Sequence, residues 1–312
     1  MKRHSDPGAI PPEDRGAVCA IGNFDGVHLG HRATIDLARG IAEAEGAPLG
    51  VVTFEPHPRT YFAPDGPDFR LMTADARARR LASIDVERLY ELPFGEALAT
   101  QTPEAFARDV LAGQLGIAHA VIGADFRFGA RRAGDAEALA ALGRAHGFGV
   151  TTAPIVSLGT GGEVSSTAIR EALTRGDPRA AAAMLGHLHR IEGEVIHGEK
   201  RGRTLGYPTA NMALDGLHLP RFGVYAVRVD VLDGPHAGRH AGAASLGVRP
   251  HYGGGDAPNL ETFLLDFDGD LYGARLSVGL QDYLRPEAAF DSEAAFLDQM
   301  AEDCAEARRR LA

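Results

Sequence analysis

Apolar residues in the first half of the chain fall in short continuous runs, with helical spacing between them. In the second half they alternate. Val18–Ile21 and residues 49–54 are continuous runs that read as buried strands, and Ile35, Ala38, Ile41 and Ala42 between them repeat at helical spacing. Strand, helix and strand at this spacing predict a βαβ unit and a parallel sheet. Residues 118–123 and 147–152 add further strands, and residues 73–82 and 103–115 read as helices. An Ala-rich helical stretch over 174–186 is broken by Gly176 and Pro178, and the domain boundary is placed near Gly186. Beyond it Tyr225, Val227, Val229 and Val231 share one strand face. Glu261, Phe263, Leu265 and Phe267 share another, and Leu276, Val278 and Leu280 a third. Period-two segments between Gly-rich turns predict an antiparallel sheet or barrel. Phe296, Leu297, Met300 and Cys304 mark a C-terminal amphipathic helix, expected over one end of that barrel.

The expected architecture is therefore a loose N-terminal tail over 1–15, a Rossmann-like α/β domain over 16–186, and an antiparallel β-barrel with a terminal helix over 187–312. A length of 312 residues suits two domains, and 45% hydrophobic residues suffice for two cores. A net charge of −10 argues against a nucleic-acid or anionic-membrane partner. Two cysteines, Cys19 and Cys304, provide neither a disulfide framework nor a thiolate metal site. The polar start lacks the apolar core of a signal peptide and no run is long enough to span a bilayer, so a cytoplasmic location is expected, with no obligate protein partner evident.

Candidate chemistry sits where the first strand breaks, in Gly22-Asn-Phe-Asp-Gly-Val-His-Leu-Gly-His31. His28 and His31 fall where loop becomes helix, a place that favours anions, and Gly26 and Gly30 permit positive φ or close backbone approach. The second strand ends in Glu55-Pro56-His57-Pro58, by itself a rigid turn, with Tyr61 and Phe62 beside it. Asp125, just past a strand end, reads either as a turn residue or as a contact to a ribose or base. Ser165, Ser166 and Thr167 open a predicted helix over 167–173 with Arg170 one turn in, which suits simple capping or a second anion site. Gly193-Glu-Val-Ile-His-Gly198 invites a P-loop reading but lacks the required Gly-Lys-Ser/Thr ending. Thr209 and Asn211, two apart in extended chain, point the same way with neutral oxygens that suit Mg²⁺. Glu261 heads a strand on an apolar face, where a carboxylate is unusual.

Taken whole, these strings resemble bacterial bifunctional riboflavin kinase/FAD synthetases. The first is similar to the His-x-Gly-His signature of nucleotidyltransferases, and Thr53-Phe-Glu-Pro-His-Pro58, Gly123-Ala-Asp-Phe-Arg-Phe-Gly129 and Ser165-Ser-Thr-Ala-Ile-Arg170 follow in family order. Gly198-Glu-Lys-Arg-Gly-Arg-Thr-Leu-Gly-Tyr-Pro-Thr-Ala-Asn211 resembles the riboflavin kinase signature, and Leu264-Leu-Asp-Phe-Asp-Gly-Asp-Leu-Tyr-Gly273 and Tyr283-Leu-Arg285 also fit. The resemblance implies ATP-dependent phosphorylation of riboflavin to FMN, then adenylylation of FMN to FAD with release of pyrophosphate, with ATP as co-substrate and Mg²⁺ as cofactor. It implies catalytic roles for His28, His31, Arg170 and Glu261, the last as base for the ribityl hydroxyl. It implies nucleotide or phosphate contacts at Gly22, Asn23, Phe24, Gly30, Asp125, Ser165, Ser166 and Thr167, and at Gly198, Lys200, Gly202 and Gly206. Flavin contacts fall on His57, Pro58, Phe62 and Arg285, and metal contacts on Thr209 and Asn211. One position departs from the pattern: in Gly247-Val-Arg-Pro-His251 the family's Thr is His, before a Gly-rich loop over 252–258. That departure motivates a rival, a monofunctional adenylyltransferase whose barrel only binds flavin as a regulatory module. A cytidylyltransferase acting on an alcohol phosphate leaves the second half unexplained.

Overall fold

A computed structural model describes residues 1–157, 159, 162–197, 205–251 and 255–312. The chain divides into two compact units: residues 1–67 with 74–164, and residues 68–73 with 165–312.

The first unit is a six-stranded parallel sheet in the order β1-β4-β3-β2-β5-β6, with ranges β1 Lys2–His4, β2 Val18–Ile21, β3 Leu49–Glu55, β4 Arg88–Pro93, β5 His119–Gly123 and β6 Gly149–Ala153. Its crossovers carry α1 (Leu29–Glu45), the short α2 (Pro58–Phe62), α3 (Ala74–Ala82), α4 (Glu96–Ala99), α5 (Pro103–Ala105, running on as π-helix through Phe106–Leu115) and α6 (Ala136–His146). β2 has all four residues buried, which is why it reads as an unbroken apolar run; parallel strands covered on both faces need no polar alternation. Chain order runs from β2 outward through β3 and β4 on one side and β5 and β6 on the other. The topological switch point is thus at β2 and β5, where sheets of this kind bind ligands beyond the carboxyl ends of their strands.

Residues 1–15, expected as a loose tail, are instead packed onto the sheet. Lys2, Arg3 and His4 pair in parallel register with Arg88, Leu89 and Tyr90, and Ile10 joins the core. The buried carboxylate of Asp14 collects Lys2 at 2.7 Å, Arg88 at 2.9 Å and His4 at 3.3 Å. Polar composition concealed this because the segment is held by edge pairing and charge, with little apolar burial of its own.

The second unit begins with α7 (Ser166–Arg175) and α8 (Pro178–Leu185), separated by Gly176 at φ 78° and by the Asp177 cap. Their buried faces meet around Ile169, Ala172, Leu173, Ala181 and Leu185, with Leu71 added from the 68–73 segment. An antiparallel sheet follows in the order β7-β12-β9-β10-β11-β8, with β7 His189–Glu194, β8 Ala210–Ala213, β9 Gly223–Val231, β10 Gly238–His251, β11 Gly255–Leu264 and β12 Arg275–Arg285. It nearly closes into a barrel: just beyond β7, the Ile196 N–H donates to the Asn211 carbonyl at 2.9 Å. Tyr225, Val227, Val229, Val231, Leu276, Val278 and Leu280 fill the interior, as their alternation predicts.

Four expectations are corrected here. Leu265 and Phe267 do not share a strand face with Glu261 and Phe263, because β11 ends at Leu264 and Asp266 turns the chain at φ 56°. Because β11 begins at Gly255, Glu261 is an interior strand residue, opposite Ser245 on one side and Asn211 on the other, rather than a strand head. Residues 255–258, expected in a Gly-rich loop, continue β11 and pair with residues 248–251 of β10. Pro250 and Pro258 are tolerated because β9 and β8 pair with this hairpin only as far as Leu246 and Asn259, so its outer edges carry no ladder there. Finally, α9 (Glu293–Leu311) lies across the outer faces of β9, β10 and β12 instead of an end of the barrel. Small Ala226 and Ala243 admit Cys304, Ala307 and Leu311 against the sheet.

Candidate active sites

In the first unit, the chain leaving β2 turns through residues 22–28 before α1 begins. Phe24, Gly26 and Val27 take φ of 52°, 88° and 43°. Glycine adopts such a backbone freely, but each non-glycine residue there costs about 1–3 kcal/mol and persists only where its surroundings hold it. Phe24 and Val27 are both 1% exposed, so packing supplies part of that restraint. The main-chain carbonyl of Asn23 supplies another part. It accepts from Thr53 Oγ1 at 3.1 Å and from Arg77 Nη1 at 3.3 Å.

His28 caps α1: its Nδ1 accepts the His31 N–H at 3.3 Å, so Nε2 carries the proton of the neutral ring. The two imidazoles stack with centroids 3.6 Å apart, and Phe24 lies 5.1 Å from His31. Burial, with the His28 ring second, holds His31 well below the ordinary histidine range, so at neutral pH it is an uncharged hydrogen-bonding group. Gly30 serves by close approach, since a Cβ there would sit 3.1 Å from the His28 ring, whereas Gly26 serves by positive φ.

The neighbouring strands deliver their loops to the same edge of the sheet. β3 ends at Glu55, and His57 then caps α2, accepting the Arg59 N–H at 3.1 Å. Pro58 opens that helix, and Phe62 is 67% exposed in an aromatic group with Tyr61 and Phe94. β5 ends at Gly123, with Asp125 exposed in the turn beyond it.

Ser165, Ser166, Thr167 and Arg170 belong to the second unit, at the start of α7. Ser165 is the cap, its Oγ accepting the Ala168 N–H at 3.2 Å. Arg170 Nε donates to the Phe69 carbonyl at 2.5 Å, with its guanidinium 5.4 Å from the Phe69 ring centre.

A cavity of about 720 Å³ lies between the outer barrel face and α9, and it brings together Thr209, Asn211, Glu261 and Arg285. Asn211 stands opposite Glu261 in the β8–β11 ladder. The Asn259 amide bridges them, reaching Glu261 Oε1 at 3.1 Å and Asn211 Oδ1 at 3.4 Å. Asn211 Nδ2 donates to the Thr209 carbonyl at 3.2 Å, which turns the amide oxygen toward Asn259. Arg285 makes a bidentate pair with buried Asp303 on α9 at 2.7 and 2.8 Å. Gly206 is in a turn at φ 83°. Gly198, Lys200 and Gly202 lie outside the described residues, as does the side chain of His251, the last residue of β10. Among the described residues there is no cluster of three or more His, Cys, Asp or Glu that could hold a metal. The donors present are a carboxylate and neutral oxygens, which suit a hard cation bound largely through phosphates.

Four positioning groups escaped the sequence reading: Thr53, Arg77, Asn259 and Asp303. Asn259 had a signal, since it is two residues from Glu261 and therefore on its face. Arg77 had another, lying one turn before Leu81 on the buried side of α3.

Residues 10–168 match the FAD synthetase family model and residues 185–311 the riboflavin kinase model. A Pseudomonas fluorescens bifunctional riboflavin kinase/FMN adenylyltransferase is 42% identical, covering 96% of this chain and 94% of its own. The Escherichia coli K12 protein of that description is 38% identical (92% and 90%), and the Bacillus subtilis one 34% (96% and 94%). A solved Streptococcus pneumoniae structure described as a macrolide-efflux protein superposes with a TM-score of 0.84 at 31% identity, over 98% of both chains. Among the described residues no helix is long and apolar enough to cross a membrane. With both family models matched in order and such identity along nearly the whole of each relative, this chain belongs to the bifunctional riboflavin kinase/FMN adenylyltransferase family.

Proposed function

We propose that the chain uses ATP twice, phosphorylating riboflavin to FMN in its second half and adenylylating FMN to FAD in its first, in the cytoplasm. The functional division falls near Gly186, with adenylyl transfer assigned to 16–186 and the kinase to 187–312. The observation that carries the bifunctional reading over a merely regulatory barrel is the arrangement of Glu261, Asn211 and Thr209 in one cavity lining, with the Asn259 amide joining Glu261 to Asn211. A flavin-binding module has no need of a carboxylate held by a strand neighbour against two neutral oxygen donors. The chemistry of these sites, rather than the description of the pneumococcal structure, supports the assignment.

In the kinase step, Glu261 takes the proton of the riboflavin 5′-hydroxyl as that oxygen attacks the γ-phosphorus of ATP and ADP departs. Thr209 and Asn211 would hold Mg²⁺, which when bound neutralises charge on the nucleotide phosphates. Arg285, fixed by Asp303, lines the same cavity and is assigned to the flavin, with Gly198, Lys200, Gly202 and Gly206 assigned to ATP. In the adenylyl step, a phosphate oxygen of FMN attacks the α-phosphorus of ATP and pyrophosphate leaves. No enzyme nucleophile is needed, so the barrier falls through alignment and stabilisation of charge on the phosphoryl oxygens. That role is assigned to His28 and His31, and from their motif to Ser165, Ser166, Thr167 and Arg170. Gly22, Asn23, Phe24, Gly30 and Asp125 are assigned to ATP, and His57, Pro58 and Phe62 to the flavin.

The test is chromatographic: purified protein with riboflavin, ATP and Mg²⁺, the flavins separated over time. FMN followed by FAD is expected. FAD from added FMN but nothing from riboflavin would establish the monofunctional rival and implicate His251; no product from either flavin would overturn the assignment.

A further inference from the structure

Arg77 is among the largest fully buried side chains of the described residues, at 1% exposure in the middle of α3. Its guanidinium reaches three separate elements. Nη2 donates to Glu55 Oε2 at 2.9 Å, at the end of β3, and to Glu91 Oε1 at 3.0 Å, on β4. Nη1 donates to the carbonyl of Asn23 at 3.3 Å, inside the positive-φ loop that precedes His28. The network continues outward: the second Glu91 oxygen accepts Arg3 Nε from β1, and Arg3 Nη1 reaches Asp75 at 2.7 Å.

A buried ion pair is weak evidence for stability, because apolar residues of similar volume often serve as well. What a guanidinium supplies and an apolar side chain lacks is a rigid fork of donors with fixed directions. Here one fork holds a loop carbonyl and a strand-end carboxylate at once. The Asn23 side chain is exposed while its carbonyl is pinned from below by Arg77 and Thr53. The fork thus sets the height of residues 22–28 relative to Glu55, whose chain leads directly to His57.

We propose that Arg77 is a positioning residue for adenylyl transfer, aligning the Gly22–His28 loop with the Glu55–His57 strand end without touching substrate. This rests on the adenylyl-transfer assignment given above. The expectation is a defect in turnover, since misplacing reacting groups by about 1 Å can cost about 100-fold in rate.

The test compares wild type, Arg77→Lys and Arg77→Met in both reactions, at temperatures below each variant's melting transition. Arg77→Lys keeps the charge but presents a single nitrogen to three acceptors. It is expected to lower kcat for FAD formation by about tenfold with KM for FMN and ATP little changed, and Arg77→Met by about 100-fold. FMN formation from riboflavin should stay within about twofold in both, being chemistry of the other unit. A folded Arg77→Lys enzyme with wild-type kcat, or a defect confined to KM, would overturn the proposal. If Arg77→Met does not fold, the lysine variant alone decides. Absence of FAD formation in wild type would instead defeat the underlying assignment.

Discussion

Of the residues assigned to adenylyl transfer in the first unit, Gly22, Asn23, Phe24 and His28 ride on a loop, while Asn211, Glu261 and Arg285 of those assigned to the kinase reaction ride on paired strands. In the loop, Phe24 and Val27 are held at positive φ and the Asn23 carbonyl is clamped by side chains from β3 and α3. On the strands, Asn211 and Glu261 are brought face to face by ladder register alone, with Asn259 two residues away to join them. A strand supplies direction through its own hydrogen bonds, so its functional side chains need few outside supports. A loop has no such ladder and must borrow rigidity from buried groups elsewhere in the fold.

The strongest way to break this comparison is to remove one chemical group from each side. His28→Ala should reduce FAD formation by about 1,000-fold or more and leave FMN formation intact, and Glu261→Ala should do the reverse. Loss of both activities from either substitution would show that the two sites are not independent.

Acid sharpens the contrast through stability. His189, buried at the start of β7, has its pKa lowered to about 3 by desolvation, with His187 and His218 adding smaller repulsions. Above pH 6.5 the ring is neutral in folded and unfolded chains alike. Between pH 6.5 and about 3 the unfolded chain takes the proton first, so stability falls as pH falls, by about 1.4 kcal/mol per unit. Melting midpoints across that range should lose this part of their slope in His189→Leu; an unchanged slope would show that the ring is not the source.

A smaller effect tests whether register alone suffices in the kinase site. Asn259→Ala leaves the β8–β11 pairing in place but removes the amide that joins Asn211 to Glu261. We expect about a tenfold fall in kcat for FMN formation, the size of one hydrogen bond to a charged group. FAD formation from FMN should not change.

The smallest effect concerns the barrel wall. Thr262 is fully buried, and its hydroxyl has no hydrogen-bond partner among the described residues. Thr262→Val should therefore raise stability by about 1 kcal/mol, read from denaturant midpoints, with both activities unchanged. A destabilised variant would show that the hydroxyl is satisfied.

The order of elements was legible in the chain because burial sets period. Continuous apolar runs marked parallel strands, alternation marked barrel strands, and Gly176 with Pro178 marked the break between α7 and α8. Candidate residues were legible where a short string carries its own geometry, as with His28 capping α1 and Ser165 capping α7. Less legible was anything that depends on a partner far along the chain. The tail was misread because Lys2–His4 is held by β4 and Asp14 by Arg88, more than seventy residues away. The placement of α9 was misread because amphipathicity says that a helix has a buried face and not which surface receives it. Here small residues at 226 and 243 made the outer sheet the receiving surface.

The sequence by itself determined two domain types, their elements and the motifs that carry the chemistry, since all of these follow from local spacing. Only the tertiary structure decided that Arg77 lies beneath the Asn23 loop, that Asn259 joins Asn211 to Glu261, and that Asp303 holds Arg285. The reason is physical: a hydrogen bond between elements distant in sequence depends on how whole sheets and helices pack, and no local pattern of residues encodes which donor will meet which acceptor.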